Sequence, residues 1–356
     1  LANIKQISHI FLKQVPDDNT EPSLGYRTGF IGVLPLFHCY AMIAVMNISI
    51  DVGGWQILFP RPPLPKEFLK TIYKLPDENR FVYYAVEYLL AQITESDPAI
   101  FKKYPLTRRI AICGTGGGIL HDYIRKPFEE NTGAHITEGY GLSEATAMVS
   151  ANNIYGEREP GYIGTPASST DWDIFDIEDF SKGPVNVLGE EGVGEICVTG
   201  PQIMMGYWNN PKATAEAIKE WDGRKWLLTG DIGYMEEHGR SKIIERKKEL
   251  IKMSGRSVYP SEVESIIGEH PDVSEVGVTA VPDEKTGEAV KAWVVLKQEK
   301  IGTLNSEELI TWSKEKMAYR KIPKYIEFIK EIPKTLIGKI NHRVLQESDP
   351  LWKKTN

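Results

Sequence analysis

The chain has 356 residues, 41% hydrophobic and 26% charged, with a formal net charge of −7. That length exceeds what one core usually organises, and the mixed composition excludes disordered, fibrous and low-complexity classes. An acidic chain with no recognisable nucleic-acid module gives no reason to expect nucleic acid as a partner. Cys39, Cys113 and Cys197 are odd in number, far apart and set among apolar neighbours. They argue against a disulfide framework or a C-x-x-C metal site, and for a reducing compartment, here expected to be the cytoplasm.

From Thr28 to Ile50 no Asp, Glu, Lys or Arg occurs. The run is long enough to span a bilayer, but Pro35, His38 and Asn47 suit a membrane helix poorly. The pattern predicts a buried strand with its exit loop over "FIGVLPLFH" and a buried helix over "CYAMIAVMNISI". Next, "RIAICG" reads as a strand, "HDYIRKPFEENTG" as a helix ended by Gly133, and "AHITEGYG" as another strand and loop, the rhythm of α/β architecture. From about Gly161 to Asp231, short strands such as "GEICVTGP" and "KWLLTGD" alternate with Gly/Pro turns and predict a small β-rich subdomain. Beyond "SKIIERKKELIKMSG" come a helix opened by Pro260 and Ser261, strands over "VSEVGVTAVPD" and "KAWVVLK", and a capped helix over "NSEELITWSKEKM", together a compact α+β unit.

The boundary is expected at the charged segment Glu245 to Glu249, giving domains 1–247 and 248–356. Residues 1–247 carry 24 Lys and Arg against 32 Asp and Glu, and residues 248–356 carry 18 against 17. From Lys314 to Arg343 nine basic residues face three Glu. Such a stretch suits an anionic ligand such as a nucleotide, or simply a solvated face.

Four stretches carry chemistry. "CGTGGGIL" sets Gly116, Gly117 and Gly118 between a strand and a helix, where backbone N–H groups and a flat ligand approach closely, although it lacks P-loop and dinucleotide spacing and also reads as a turn. In "EGYGLSEAT", Tyr140 between two glycines could lay its ring along a planar base, Ser143 offers a hydroxyl and Glu144 a hard oxygen suited to Mg²⁺; the other reading is a strand-to-helix turn capped by Ser143. "LLTGDIGY" presents Asp231 after a strand and a glycine, a usual place for a carboxylate on ribose hydroxyls and also a common turn. "PKTLIGKINHR" sets Lys339 after a turn, with Gly338 letting the backbone pass close to whatever it reaches; by itself this is also an ordinary surface loop.

In this order and at these separations, "YGLSE", "TGD", "ERKKELIKMSGRSVYPSEVE" and "PKTLIGKINHR" resemble the adenylate-forming superfamily, its acyl-CoA synthetase and fatty-acid CoA ligase branch in particular. "LPLFHCYAM", "GTGGGIL", "GYIGTP", "GEICVTGPQIMMGYWNNPKAT" and "VTAVPDEKTGEAVKAWVV" extend the resemblance over nearly the whole chain. It implies a partial large N-terminal domain of α/β layers with a small β-barrel subdomain, and a small, mobile C-terminal α+β domain. It implies an ATP-dependent acid–thiol ligase that joins a carboxylic acid, expected to be a fatty acid, to ATP as acyl-AMP and passes the acyl group to coenzyme A.

By position, the resemblance gives Glu144 as the Mg²⁺ ligand and Ser143 as the hydroxyl on the α-phosphate. Gly116, Gly117 and Gly118 with Glu138, Gly139, Tyr140 and Gly141 become the adenine wall. Asp231 is implied on the ribose with Arg246 beside it, and Lys339 on the α-phosphate and the attacking carboxylate. Lys248 falls at the hinge, while Lys252, Ser254 and Gly255 fall where a second domain orientation meets the adenylate and coenzyme A. His38 and Tyr40, with Met42 adding apolar surface, are implied at the acyl pocket; a histidine beside an apolar run also reads as a satisfied core residue.

The family's phosphate-wrapping Gly/Ser/Thr-rich loop belongs upstream of "LANIKQISH", so the chain is expected to be N-terminally truncated. Alternatives are a non-catalytic adenylate-binding fragment, an aryl-CoA ligase or a stand-alone adenylation domain. No transmembrane segment is expected, and peripheral membrane contact and an oligomer stay open.

Overall fold

Strands and helices alternate along the chain as the hydrophobic pattern requires. The computed structural model describes residues 1–13, 28–76, 80–106, 109–118, 120–153, 161–335 and 340–353. The chain divides into two compact units, Leu1–Thr229 with Tyr234–Ile243, and Gly230–Gly233 with Ile244–Asn356.

The first unit is built on a seven-stranded sheet of β1 (Thr28–Gly32), β2 (Trp55–Leu58), β3 (Arg80–Ala85), β4 (Ile110–Thr115), β5 (Ile136–Tyr140), β6 (Ser150–Ala151) and β7 (Thr165–Pro166), in the order β2-β1-β3-β4-β5-β6-β7. Pairing is parallel from β2 to β5 and antiparallel at β6 and β7. Buried on both faces, the parallel strands read as apolar runs rather than alternating ones. Phe68, Leu69, Ile72, Phe81, Tyr83, Leu90 and Phe128 pack the core on one face, and Phe30, Val45, Ile48, Val82 and Ile112 form a second cluster. The helix Asp122–Thr132 stops where Gly133 turns left-handed at φ 70, a conformation that suits glycine.

The charge-free run folds as β1 and a helical stretch, as its pattern predicts, with one difference. Between short α-turns at Cys39–Ala41 and Ile48–Asp51, residues Met42–Asn47 form a π-helix. Its face is also not wholly buried, since Met42 is 36% exposed.

The β-rich region forms a five-stranded sheet of β8 (Asp171–Phe175), β9 (Gly194–Thr199), β10 (Ile218–Trp221), β11 (Arg224–Met235) and β12 (Ser241–Arg246), with β10-β11-β9-β8 in order. The division between the units passes through β11 and β12. One expectation is corrected: Asp231 lies inside β11, which runs on to Met235, rather than after its end. Gly230 at φ 72 accommodates the local turn of the backbone without ending the strand.

The second unit contains β13 (Ile251–Met253), β14 (Arg256–Val258), β15 (Val273–Asp283), β16 (Gly287–Leu296) and β17 (Tyr325–Phe328), ordered β14-β13-β16-β15 with β17 parallel on β16. The helix Pro260–Gly268 starts on its proline, and Ser306–Lys316 is capped as expected, by a capping box between Asn305 and Glu308. Val263, Ile267, Val278, Val290, Ala292 and Leu309 fill the core. A charged cluster is buried here: the Lys291 ammonium lies 2.5 Å from Asp349, which is fully buried, 2.6 Å from Glu327, and 4.0 Å from the Trp293 ring centroid. Among the described residues no helix is long and apolar enough to cross a membrane.

Candidate active site

In the first unit the loops at the carboxyl ends of β4 and β5 meet. A Cβ on Gly116 would stand 2.9 Å from the Gly139 carbonyl oxygen, and Gly117 takes φ 82. Only glycine lets the β4 turn lie this close to β5. The constraint at Gly141 is harsher, since a Cβ there would fall 1.5 Å from the Ala147 carbonyl oxygen. The glycines that the sequence offers for ligand approach therefore first serve a close approach of backbone to backbone, leaving Gly117 and Gly118 exposed at the rim.

Beyond Gly141 the chain makes a 3₁₀ turn, Ser143–Ala145, and leaves it through Thr146 at φ 68, ψ −55. A β-branched residue at positive φ is strained and needs its surroundings to hold it. Two elements do so. Asn3, 1% exposed, donates to the Met148 carbonyl at 2.7 Å and accepts from the Met148 N–H at 3.1 Å. The Thr146 hydroxyl donates to the Gln202 carbonyl at 2.9 Å, and Gln202 is tied through Thr170 and Gln6 to the same N-terminal helix, Ala2–Lys13.

The turn presents Ser143, exposed, and Glu144, half-buried. Glu144 accepts from the Tyr207 hydroxyl at 2.7 Å through Oε1, and no Lys or Arg among the described residues pairs with it. Burial, then the Glu144 carboxylate, push the Tyr207 phenol up to about 12, so it remains a proton donor at neutral pH. A carboxylate with one oxygen hydrogen-bonded and no cationic side chain on it among the described residues, beside an exposed hydroxyl, fits Mg²⁺, which keeps several waters and takes one or two carboxylates together with phosphate oxygens. No group of three or more His, Cys, Asp or Glu that could hold a metal occurs among the described residues.

His38, Cys39 and Tyr40 stand by the same turn. The Cys39 sulfur is 3.4 Å from the Ser143 hydroxyl. His38, exposed, caps the following helix, Nδ1 accepting the Tyr40 N–H at 3.2 Å. The Tyr40 hydroxyl donates to the Gly114 carbonyl at 3.3 Å, and burial holds its phenol well above the usual range. Met42 follows on the π-helix.

Glu138 does not stand open. It accepts the Gly161 N–H at 2.9 Å, and burial, opposed by the Gly161 and Leu120 N–H groups, raises its carboxyl above the ordinary value. Tyr140 is a correction of side-chain role. Its ring is 7% exposed and packs with Ala145, Val149 and Trp172, so it supports the turn instead of offering a face to a planar base.

In the second unit, Asp231 is 2% exposed on its side chain and pairs with Arg246 at 2.7 Å, the neighbour expected for it. Lys252 lies exposed on β13, and Ser254 at φ 48 with Gly255 at φ 76 turns the chain into β14, so all three share one hairpin. Lys248 is exposed in the 3₁₀ turn Lys247–Glu249. Lys339 lies outside the described residues. Flanking it, Lys334 bridges to Ile340 and Asn341 donates to the Pro333 carbonyl at 2.8 Å. Next in the chain, His342 is 2.7 Å from Glu264 and 3.5 Å from Glu249. Burial pulls that imidazole down, but Glu264, Glu249 and Glu245 outweigh it and hold it above its ordinary value.

Sequence reasoning missed Tyr207, Asn3 and His342. Tyr207 sits in "MMGYWNN", where only its contact with Glu144, 63 residues away in sequence, distinguishes it from a packing tyrosine.

An open α/β sheet whose strand-end loops carry a glycine turn, an exposed hydroxyl and a carboxylate with no Lys or Arg partner among the described residues is an architecture that handles nucleotides or phosphates. A family model described as AMP-binding enzyme matches residues 3–208, and one described as AMP-binding enzyme C-terminal domain matches residues 262–339. The chain belongs to the AMP-binding enzyme family. A long-chain-fatty-acid–CoA ligase of Bacillus subtilis strain 168 is 41% identical over 319 residues, 90% of this chain and 54% of the relative. One from Escherichia coli O157:H7 is 35% identical over 318 residues, 89% of this chain and 53% of the relative. ATP-bound MatB from Rhodopseudomonas palustris superimposes with a TM-score of 0.80 at 25% identity, covering 97% of this chain and 63% of that one. The chain spans about half the length of the curated relatives it matches.

Proposed function

We propose that the chain is part of an ATP-dependent, AMP-forming acid–CoA ligase that activates a fatty acid as acyl-AMP and transfers the acyl group to coenzyme A. The observation that carries this is the turn after β5. There Ser143 and Glu144, which has no Lys or Arg partner among the described residues, follow the strand end against which the Gly116 turn packs, in a chain related to long-chain-fatty-acid–CoA ligases.

In this reading Glu144 holds Mg²⁺, and the ion, when bound, offsets the phosphate charge against which the substrate carboxylate must approach. The Ser143 hydroxyl donates to the α-phosphate. The backbone of Gly116, Gly117 and Gly118 and of Glu138 to Gly141 forms the wall for adenine. Asp231 accepts from the ribose hydroxyls, with Arg246 fixing its orientation and balancing its charge. His38 and Tyr40 border the acyl carboxylate, with Met42 further along. Lys339 supplies one ammonium to the α-phosphate and the attacking oxygen, a compact charge on a flexible stem. The domains are 1–247 and 248–356, with the hinge at Lys248; Lys252, Ser254 and Gly255 serve the coenzyme A half-reaction. The compartment is the cytoplasm, and the partners are the acid, ATP and coenzyme A.

Pyrophosphate exchange with a panel of acids tests the reading. Exchange driven best by long-chain acids and lost in Lys339→Ala is expected. No exchange with any acid, from this chain or from the protein extended upstream, would leave a non-catalytic adenylate-binding fragment as the better account.

A further inference from the structure

The turn that carries Glu144 is gripped by a second segment of the same unit at three points. The Met204 N–H donates to the Glu144 carbonyl at 2.7 Å, the Thr146 hydroxyl to the Gln202 carbonyl at 2.9 Å, and the Tyr207 hydroxyl to Glu144 Oε1 at 2.7 Å. The first two fix the backbone. The third alone fixes the carboxylate, and Oε2 has no partner among the described residues.

Tyr207 is itself held from behind. Its N–H donates to the Thr214 hydroxyl at 2.9 Å, and that hydroxyl donates to the Asn210 carbonyl at 2.9 Å. Gly206, at φ 151, lets the chain pass the Thr214 side chain, which a Cβ would meet at 2.7 Å. Ile203 and Met204 pack against the core at the start of this segment, but around Tyr207 apolar burial does little, since Met205 and Trp208 are 101% and 90% exposed. The polar contacts therefore position it, and Tyr207 is the one that reaches the carboxylate.

We propose that Tyr207 is a positioning residue for the divalent cation: its hydroxyl engages Oε1 and thereby holds Oε2 in place as the single protein oxygen offered to the ion. This rests on the reading of Glu144 as the cation's ligand. A carboxylate ligand with one oxygen hydrogen-bonded keeps its orientation when the ion leaves, and losing such a partner typically costs about 10- to 100-fold in metal affinity.

The test titrates Mn²⁺, alone, into the full chain and follows water-proton relaxation. Glu144→Gln should abolish the saturable component. Tyr207→Phe, which keeps the ring, should weaken it about tenfold with an unchanged melting temperature. Glu144→Asp draws the carboxylate back from Tyr207 without touching the segment, so it should weaken binding similarly, and adding Tyr207→Phe to it should change nothing further. Should Tyr207→Phe lower the melting temperature, Glu144→Asp alone still decides: affinity within about twofold of wild type would overturn the proposal. So would an undiminished effect of Tyr207→Phe in the Glu144→Asp background, which would mark general loosening of the segment. If Glu144→Gln binds Mn²⁺ like wild type, the reading of Glu144 fails first. If only Tyr207→Phe is silent, that reading survives and this proposal does not.

Discussion

The Ser143–Glu144 turn of the first unit and the charged groups of the second are kept in place by opposite means. Around the turn, geometry depends on missing volume and on neutral hydrogen bonds: Gly141 against Ala147, Gly116 against Gly139, Asn3 on Met148. In the second unit it depends on charge: Lys291 between Asp349 and Glu327, Arg246 on Asp231, His342 between Glu264 and Glu249. A region built on close contact should tolerate salt and pH and fail on an added methyl group. One built on ion pairs should tolerate small volume changes and respond to charge removal.

Gly141→Ala is the strongest challenge to the first half of that contrast. No shift of a few tenths of an ångström relieves a 1.5 Å approach to a backbone oxygen, so a loss of about 4 kcal/mol or more is expected in urea unfolding, with little dependence on salt. Asp349→Asn is the matching challenge to the second unit. It leaves the Lys291 ammonium, 8% exposed on its side chain, without its buried partner, for an expected loss of about 3 kcal/mol. Replacing Lys291 and Asp349 together by apolar residues should recover most of it. Asn3→Ala strips the half-buried Met148 N–H and carbonyl of their partners, and about 1–2 kcal/mol is expected. Faster hydrogen exchange at Met148 than across the second unit would locate the damage.

The smallest effect is in pH. His342 is held above its ordinary value in the fold. Its contribution is therefore complete below the unfolded pKa of about 6.5 and lost as pH rises through the folded value. Melting temperature should fall modestly from about pH 6 to about pH 9, and His342→Gln should flatten that slope. A steeper slope in the variant would show that the surrounding carboxylates, not the imidazole, dominate.

The same contrast explains what the sequence made legible. Apolar runs for β1, β4 and β5, the Gly133 stop and the Asn305–Glu308 box are local signals, and each appears where the pattern puts it. The order of the chemistry-bearing stretches sufficed for the family. What stayed hidden depends on partners far off in sequence. Tyr140 reads as a ligand platform until Trp172 and Val149 are packed on its ring, and Glu144 reads alone until Tyr207 reaches it. Asp231 looked like a strand terminus because Gly230 suggests a turn; pairing partners supplied by the rest of the sheet carry β11 past it.

The π-helix at Met42–Asn47 makes length a property that one residue can change with little effect on phase. Its i→i+5 bonds hold one more residue per turn than the flanking α-turns need, so deleting Ala44 would let the stretch relax into a continuous α-helix. The wider turn absorbs that residue, six π steps turning the chain about as far as five α steps, so everything upstream would keep nearly its phase relative to Ile48. With Ile48 fixed in the core, His38 and Cys39 would keep their bearing on the Ser143 turn, whereas a residue deleted from a flanking α-turn would rotate them by roughly 100°. A single codon's indel inside the π-helix would therefore be absorbed where it occurs, and one just outside it would change which side chains border the turn.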